Sequence, residues 1–267
     1  MLRAFDVIGN IAIVKFPKGI KIRDKKKFAK KIIENNKSIK TVLEKTGKFK
    51  GRLRKMQTKY VMGERTKEAL YKENNCVFRF NIDLCYFSSR LSNERKEIAS
   101  EIKKNDKVLV MFAGVAPFPI VIAKNSKAQV WSNEINRQAN KYAKLNIELN
   151  KVKDKVILLP GDIKKVVKKI KKGFDIKGIL TPMKFNVIIM PRPKLKDTFL
   201  KEAFTLSKEG TRIYYYDFCN VDEVNSIIEK IKKQAKKFKK KIKILKVKKA
   251  GEIAPYTYRF RVDFKVV

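Results

Sequence analysis

Apolar and polar positions along this chain change rhythm near residue 93. Before that point the segments are short and mixed. FDVIGNIAIVKF, residues 5–16, alternates well enough for a β-hairpin turning at Gly9-Asn10. Residues 24–47 read as helix, with Phe28, Ile32, Ile33, Ile39, Val42 and Leu43 as its apolar positions and a break at Asn35, Asn36 and Ser38. Residues 51–87 read as strands and turns: GRLRKM, TKYVMG, and CVFRFNIDLCYF, the last alternating over Val77, Phe78, Phe80, Ile82 and Leu84. From residue 93 onward helices and strands take turns. The helices are ERKEIASEIKK, PFPIVIAKNSK, RQANKYAKLNIELNK, IKKVVKKIKK, a segment closed by Gly210, and a long lysine-rich one over 221–241. The strands are KVLVMF, AQVWSNE, KVILLPGD, FNVIIMP and TRIYYYDF. IKILKVKKA and YTYRFRVDFKVV then form a closing antiparallel pair, joined by a turn around Gly251. Near-continuous apolar strands between helices predict a mostly parallel sheet covered on both faces. The expected division is a small α+β domain over 1–86 and an α/β domain over 87–267.

Length and charge narrow the function. The chain has 267 residues, enough for one large domain and one small one, and no apolar stretch long enough to span a membrane. The start, MLRAFDVIGNIAIVKF, lacks the apolar run and cleavage site of a signal peptide and reads as strand. Three scattered cysteines suit neither a disulfide framework nor a zinc site, so a cytoplasmic protein without metal is expected. Lys+Arg exceed Asp+Glu by 66 to 26, a net charge of +40, which calls for a polyanionic partner. The plain alternative is a lysine-biased genome. Histidine is absent, which excludes a Ser-His-Asp triad and leaves carboxylate, Tyr, Lys or Cys as a base.

In a parallel sheet, ligands bind beyond the carboxyl ends of the strands. After Phe112 the chain reads AGVAPF, which is neither G-x-x-x-x-G-K-[ST] nor G-x-G-x-x-G. Its lone Gly114 permits close approach but builds no diphosphate cradle. Glu134, twenty residues on at the end of the next strand, can accept hydrogen bonds from vicinal ribose hydroxyls. Asp162, after the third strand, can accept from an adenine amino group. A nucleoside without a diphosphate points to S-adenosylmethionine (SAM). Taken one at a time, Glu134 and Asp162 read equally as helix caps.

Three stretches carry a family resemblance: YFSSRLSNER at 86–95, MFAGVAPF at 111–118 and VIIMPRP at 187–193. They resemble the archaeal and eukaryotic tRNA (guanine-N1)-methyltransferases that act on guanine 37, and the wyosine-pathway relatives of that family. FDVIGNIAIV, SIKTVLEKTGKFKGRLR and VFRFNIDLCYF follow in family order, so the resemblance spans nearly the whole chain. It implies a class I, Rossmann-like SAM-dependent methyltransferase domain preceded by the small α+β domain. It also implies that Glu94 removes the N1 proton of guanine and that Arg54 steadies the purine. Tyr86, Arg95, Met111, Phe112, Ala113, Gly114, Glu134, Asn136, Asp162, Met190 and Pro191 are the expected cofactor residues. Tyr86 and Phe87 are candidates to stack on a splayed base. Arg52, Lys55, Arg90 and Arg192 are expected on RNA, as are the lysines of 164–172 and of 230–249, where twelve of twenty positions are lysine. The plain alternative for Glu94 is an acid complementing its helix dipole, and for any one lysine a solvated face.

The departures from the family are specific. Val110 stands where an Asp is usual, Ser89 where a proline is usual, and Pro191-Arg192-Pro193 where asparagine-leucine-proline is usual. A proline-x-proline version is typical of the archaeal branch linked to wyosine, which admits methylation of carbon 7 of the tricyclic intermediate as a second activity. The chain begins directly in the family's second domain, so looser inspection of overall tRNA shape is expected. The expected partner is the anticodon stem-loop, engaged by a monomer. The alternatives are the aminocarboxypropyl transferase of the same pathway, for which Ser88-Ser89 argues and Arg90-Leu91 argues against, and a non-catalytic RNA-binding relative.

Overall fold

A computed structural model describes residues 5–47, 51–176 and 178–267. The opening tetrapeptide of the N-terminal strand reading, and residues 48–50 of the stretch SIKTVLEKTGKFKGRLR, lie outside the described residues. The chain starts with β1 (Phe5–Ile8) and β2 (Ile11–Val14), paired antiparallel, then α1 (Ile22–Asn35), β3 (Thr41–Lys45) and β4 (Thr58–Gly63). β3 lies parallel to β2 and antiparallel to β4. IAIV of β2 is apolar throughout because both its faces are covered. Ala12 and Val14 pack with Ala29 and Ile32 of α1, while Ile11 and Ile13 join the large core on the other side.

Residues 41–45 are strand, not the second half of a helix. Thr41 and Val42 are β-branched, and Thr41–Lys45 finds two partner strands, Ile11–Val14 and Thr58–Gly63, neither contiguous with it. Residues 51–54, read as strand from sequence, form a turn. The turn at Gly9 is fixed by space: its φ is +58°, and a Cβ there would stand 2.0 Å from the backbone oxygen of Leu70. Gly9→Ala is therefore expected to cost about 2–4 kcal/mol of stability, read as a lower urea midpoint with an unchanged slope.

β5 (Glu68–Glu73) and β6 (Cys76–Asn81) form a separate hairpin. Then come α2 (Ser92–Glu101), β7 (Lys107–Val110), α3 (Pro117–Ser126), β8 (Gln129–Glu134), α4 (Arg137–Leu149), β9 (Val156–Pro160) and α5 (Ile163–Ile170). The small hairpin β10 (Asp175–Ile176) and β11 (Ile179–Leu180) follows, then β12 (Phe185–Met190), α6 (Leu200–Leu206), β13 (Ser207–Asn220), α7 (Val224–Lys237), β14 (Ile242–Ala254) and β15 (Thr257–Val266). The hairpin of β5 and β6 is held on α4 by side-chain amides. Asn150 and Asn146 accept from the backbone N–H groups of Val77 and Arg79, at 2.9 and 2.7 Å.

Seven strands form the main sheet in the order β9-β8-β7-β12-β13-β15-β14. All pairs are parallel except β13 with β15 and β15 with β14. Period-two alternation sorts the side chains into two cores. Val108, Val110, Val187, Ile189, Tyr214 and Tyr216 face α2, α3 and α4. Leu109, Met111, Ile188, Met190, Ile213 and Tyr215 face α5, α6 and α7. Two boundaries differ from the sequence reading. α6 ends at Leu206, and Gly210 lies within β13. The last hairpin turns at residues 255–256, and Gly251 sits instead at a register shift inside β14. Long β14 and β15 gain so many ladder bonds that one irregular glycine does not end the pairing.

Candidate active site

The loop after β7 is wound tightly. Phe112, Gly114 and Ala116 take φ of +57°, +58° and +66°. Two of the three are not glycine, and left-handed backbone at such residues costs about 1 kcal/mol or more each. Hydrogen bonds hold it: Ala113 donates to the carbonyl of Asn133 at 2.9 Å, and Gly114 N–H donates to Glu134 Oε2 at 2.8 Å. α3 then starts with Pro117 in its first turn and Pro119 behind it, which removes N–H groups that would bind a diphosphate.

This loop faces a cavity enclosing about 960 Å³ of space, part of it open to solvent. It is walled by residues 52–54 of the small domain, by 86–95, by the ends of β7, β8 and β9 with the first turns of the helices that follow them, and by the loop after β12. Arg52, Arg54, Tyr86, Arg95, Phe112, Ala113, Gly114, Glu134, Asn136 and Pro191 line it, as do Phe118 and Pro193 of the family-like stretches, and Asn133 and Leu195, which the sequence did not single out. Asn133 could have been found, since a polar side chain one residue before Glu134 in a buried strand needs partners. It donates to the carbonyls of Leu159 and Gly161.

Glu134 is the centre of the β8 side. Its second oxygen accepts from Asn136 N–H at 2.7 Å. Burial raises its carboxyl above the ordinary value, against the pull of the Asn136, Gly114 and Ile135 N–H groups and of Arg52. Asn136 caps α4 by accepting from Gln138 N–H and donates to the Leu84 carbonyl. Asp162 caps α5 through Lys164 N–H and pairs with Arg52 at 2.9 Å. Burial raises its carboxyl, but these two contacts outweigh it and bring it below the ordinary value. Asp162 itself stands behind the wall residues Gly161 and Ile163. Also at the wall, the Arg54 guanidinium lies 3.7 Å from the centre of the Tyr86 ring.

Several expected site residues are placed elsewhere. Met111 and Met190 are fully buried in the α5–α6–α7 core, because the strand alternation turns them away from the cavity. Val110 is fully buried in the opposite core. Phe87 reaches the wall but is a core ring, stacked on Phe80 at 4.7 Å. Arg95 lines the wall, yet its guanidinium is consumed by both oxygens of Glu73 and by the Ser88 carbonyl. Lys55 is exposed beside the turn at 51–54, and exposed Arg90 donates to the carbonyl of Glu252. Arg192 is not on an RNA-facing surface. It is 4% exposed and paired with Asp217. In the 230–249 run, Lys230, Lys232, Lys246 and Lys248 are tied to Asp217, Glu229, Glu97 and Glu94, and Lys249 lies over the Tyr258 ring.

Glu94 lies beside the wall residues Leu91 and Arg95 but is not itself at the wall. It is 4% exposed. One oxygen accepts from Arg261 at 2.7 Å and from the Tyr216 hydroxyl at 2.9 Å, and the other pairs with Lys248 at 2.7 Å. Glu97, a turn on, shares Lys248 and Arg261 and also takes Lys246. Burial opposes its ionisation, but those cations drive its carboxyl down to about 2. Arg54 and Glu94 therefore stand on different layers of the site.

Comparison with known proteins fits this geometry. A family model described as the TRM5/TYW2 methyltransferase domain matches residues 69–245, and one described as the TYW2 N-terminal domain matches 1–66. A Nanoarchaeum equitans protein named tRNA (guanine(37)-N(1))/4-demethylwyosine(37)-methyltransferase Taw22 is 34% identical, over 99% of this chain and 100% of its own length. The crystal structure of Trm5b from Pyrococcus abyssi superposes with a TM-score of 0.83 at 32% identity, covering 99% of this chain and 75% of that one. A structure of aTrm5 in complex with tRNALeu superposes with a TM-score of 0.80 at 28% identity, covering 99% and 72%. Among the described residues no helix is long and apolar enough to cross a membrane.

Proposed function

Because the chain belongs to the TRM5/TYW2 methyltransferase family, we propose that it methylates N1 of guanine 37 in tRNA, with SAM as donor. The observation that carries this reading is Glu134, fixed at the end of β8 by the Gly114 N–H, in a cavity that the Arg54–Tyr86 pair also lines. The residues present suit this cofactor. Glu134 keeps free lone pairs for two ribose hydroxyls, and the proline-led α3 offers no diphosphate cradle. SAM, when bound, supplies a methyl group on a sulfonium for direct displacement by a nucleophile.

The protein's task is to hold the purine edge-on and take the N1 proton as the new N–C bond forms. Arg54, at the cavity wall, offers a cation to the O6 side, where negative charge develops. The proton acceptor is Glu94. It reaches that role by exchanging a partner: Lys248, a third exposed and also held by Glu97, can turn to an RNA phosphate, whereas fully buried Arg261 stays. Arg52, Lys55, Arg90 and the unpaired lysines of α5 and α7 supply the anticodon stem-loop contacts. We place the enzyme in the cytoplasm as a monomer; its three free, buried cysteines suit a reducing compartment.

Incubation with unmodified tRNA and SAM, followed by nucleoside analysis, is expected to yield N1-methylguanosine at position 37 and none when that base is adenine. SAM bound without any methylated nucleoside would overturn the reading. A second reaction is favoured by the name of the Nanoarchaeum relative, which covers both substrates. tRNA already carrying 4-demethylwyosine at position 37 is expected to gain one methyl group. Aminocarboxypropyl transfer is not favoured, since the relatives 30% or more identical bear methyltransferase names.

A further inference from the structure

The loop between β12 and α6 presents Pro191, Pro193 and Leu195 to the cavity. It has almost no ladder or helix hydrogen bonds of its own, and two of its residues are prolines without an N–H. One buried side chain gathers it. Arg192 Nη1 donates to the carbonyls of Pro193, Leu195 and Asp197, at 3.2, 3.1 and 3.2 Å. Its Nη2 donates to Asp217 Oδ1. Asp217 is itself anchored in the sheet and on α7, accepting from Phe218 N–H, the Tyr215 hydroxyl and Lys230. The three carbonyls point inward at the guanidinium, and Pro191, Pro193 and Leu195 are thereby turned to the cavity.

The sheet order says which part of the cavity this wall serves. Glu134 ends β8, on one side of β7. The loop in question follows β12, on the other side of β7. With the nucleoside held at Glu134 over β8, as proposed above, the proline wall bounds the space over β12, which is left for the methyl acceptor. We propose that Arg192 is a positioning residue for the acceptor base: it shapes that wall from behind and touches neither cofactor nor RNA. Here Pro191 has no side-chain donor to orient a purine, so orientation comes from the rigid shape of the wall. Arginine is required because its planar fork reaches one carboxylate and three carbonyls at once, and an ammonium cannot. The inference rests on the methyltransferase reading for the identity of the acceptor, but not for the holding of the loop.

The test is Arg192→Lys, which keeps the charge opposite Asp217. Amide hydrogen exchange at Arg192 and Phe199, whose N–H groups donate to the Met190 carbonyl and to Asp197 Oδ1, is expected to speed up at least about tenfold, while the rest of the sheet stays protected. SAM affinity by calorimetry is expected to stay within about threefold of wild type, and kcat on tRNA to fall about 10- to 100-fold. Unchanged exchange or unchanged kcat would overturn the proposal. Equal losses of SAM affinity and kcat, or loss of the cooperative thermal transition, would overturn it too, because Arg192 would then act on the cofactor side or on folding. A wild-type protein that fails to methylate tRNA, with slow exchange at Arg192 and Phe199 that Arg192→Lys accelerates, would sink the assigned reaction while leaving the loop-holding role intact.

Discussion

Glu94→Gln is expected to lower kcat for N1 methylation about 100-fold or more, since a positioned general base contributes about 10²–10⁴-fold. The substitution keeps size and hydrogen-bonding reach and removes only the proton-accepting charge. It also strips one partner from a buried ion cluster, and breaking such a pair can cost about 3–5 kcal/mol. Here the cost is cushioned. Arg261 keeps Glu97 and Asp263, and Lys248 keeps Glu97. Thermal unfolding and SAM affinity separate the two roles. Lost turnover with SAM affinity within about threefold of wild type assigns Glu94 to the chemistry. A lowered melting temperature with wild-type turnover assigns it to the clamp between α2 and the terminal strands alone, and would remove it from the mechanism.

Glu134→Gln is expected to act on the other half of the reaction, weakening SAM binding about 30- to 1000-fold. That range corresponds to about 2–4 kcal/mol, the worth of one or two hydrogen bonds to a charged acceptor. Two effects add. The ribose hydroxyls lose an ionised acceptor, and the new amide NH2 must face a backbone donor, because both Glu134 oxygens already accept N–H groups, from Gly114 and Asn136. The strained loop from Phe112 to Ala116 then loses the contact that holds it closed. Isothermal calorimetry reads the loss directly, and kcat at saturating SAM should fall far less than kcat/KM. SAM affinity equal to wild type would show that the carboxylate serves the loop and not the nucleoside.

Much of this architecture could be read along the chain because its determinants are local. A buried parallel strand is a run such as KVLV or NVIIM, a half-buried helix repeats its apolar face, and Pro117 marks a helix start. The Gly114 loop and Glu134 were legible for the same reason, since each sits where a local pattern ends. What misled was also local. Thr41 to Lys45 carries a pattern that fits helix or strand, and only pairing with β2 and β4 decides it. Gly251 looks like a turn, yet β14 continues to Ala254.

The amino-acid order by itself determined the alternation of elements, the basic character of the surface, the lack of any histidine base, and the strand ends at Phe112 and Glu134 that line the cavity. The tertiary structure alone decided which charges are available. Arg52 meets Asp162 across 110 residues and Glu94 meets Arg261 across 167. Arg192, one cation among 66, is drawn inside by Asp217 and three carbonyls. Propensity and periodicity act within a few residues, whereas the environment of an ionised group is set by whatever the folded chain brings within a few ångströms of it.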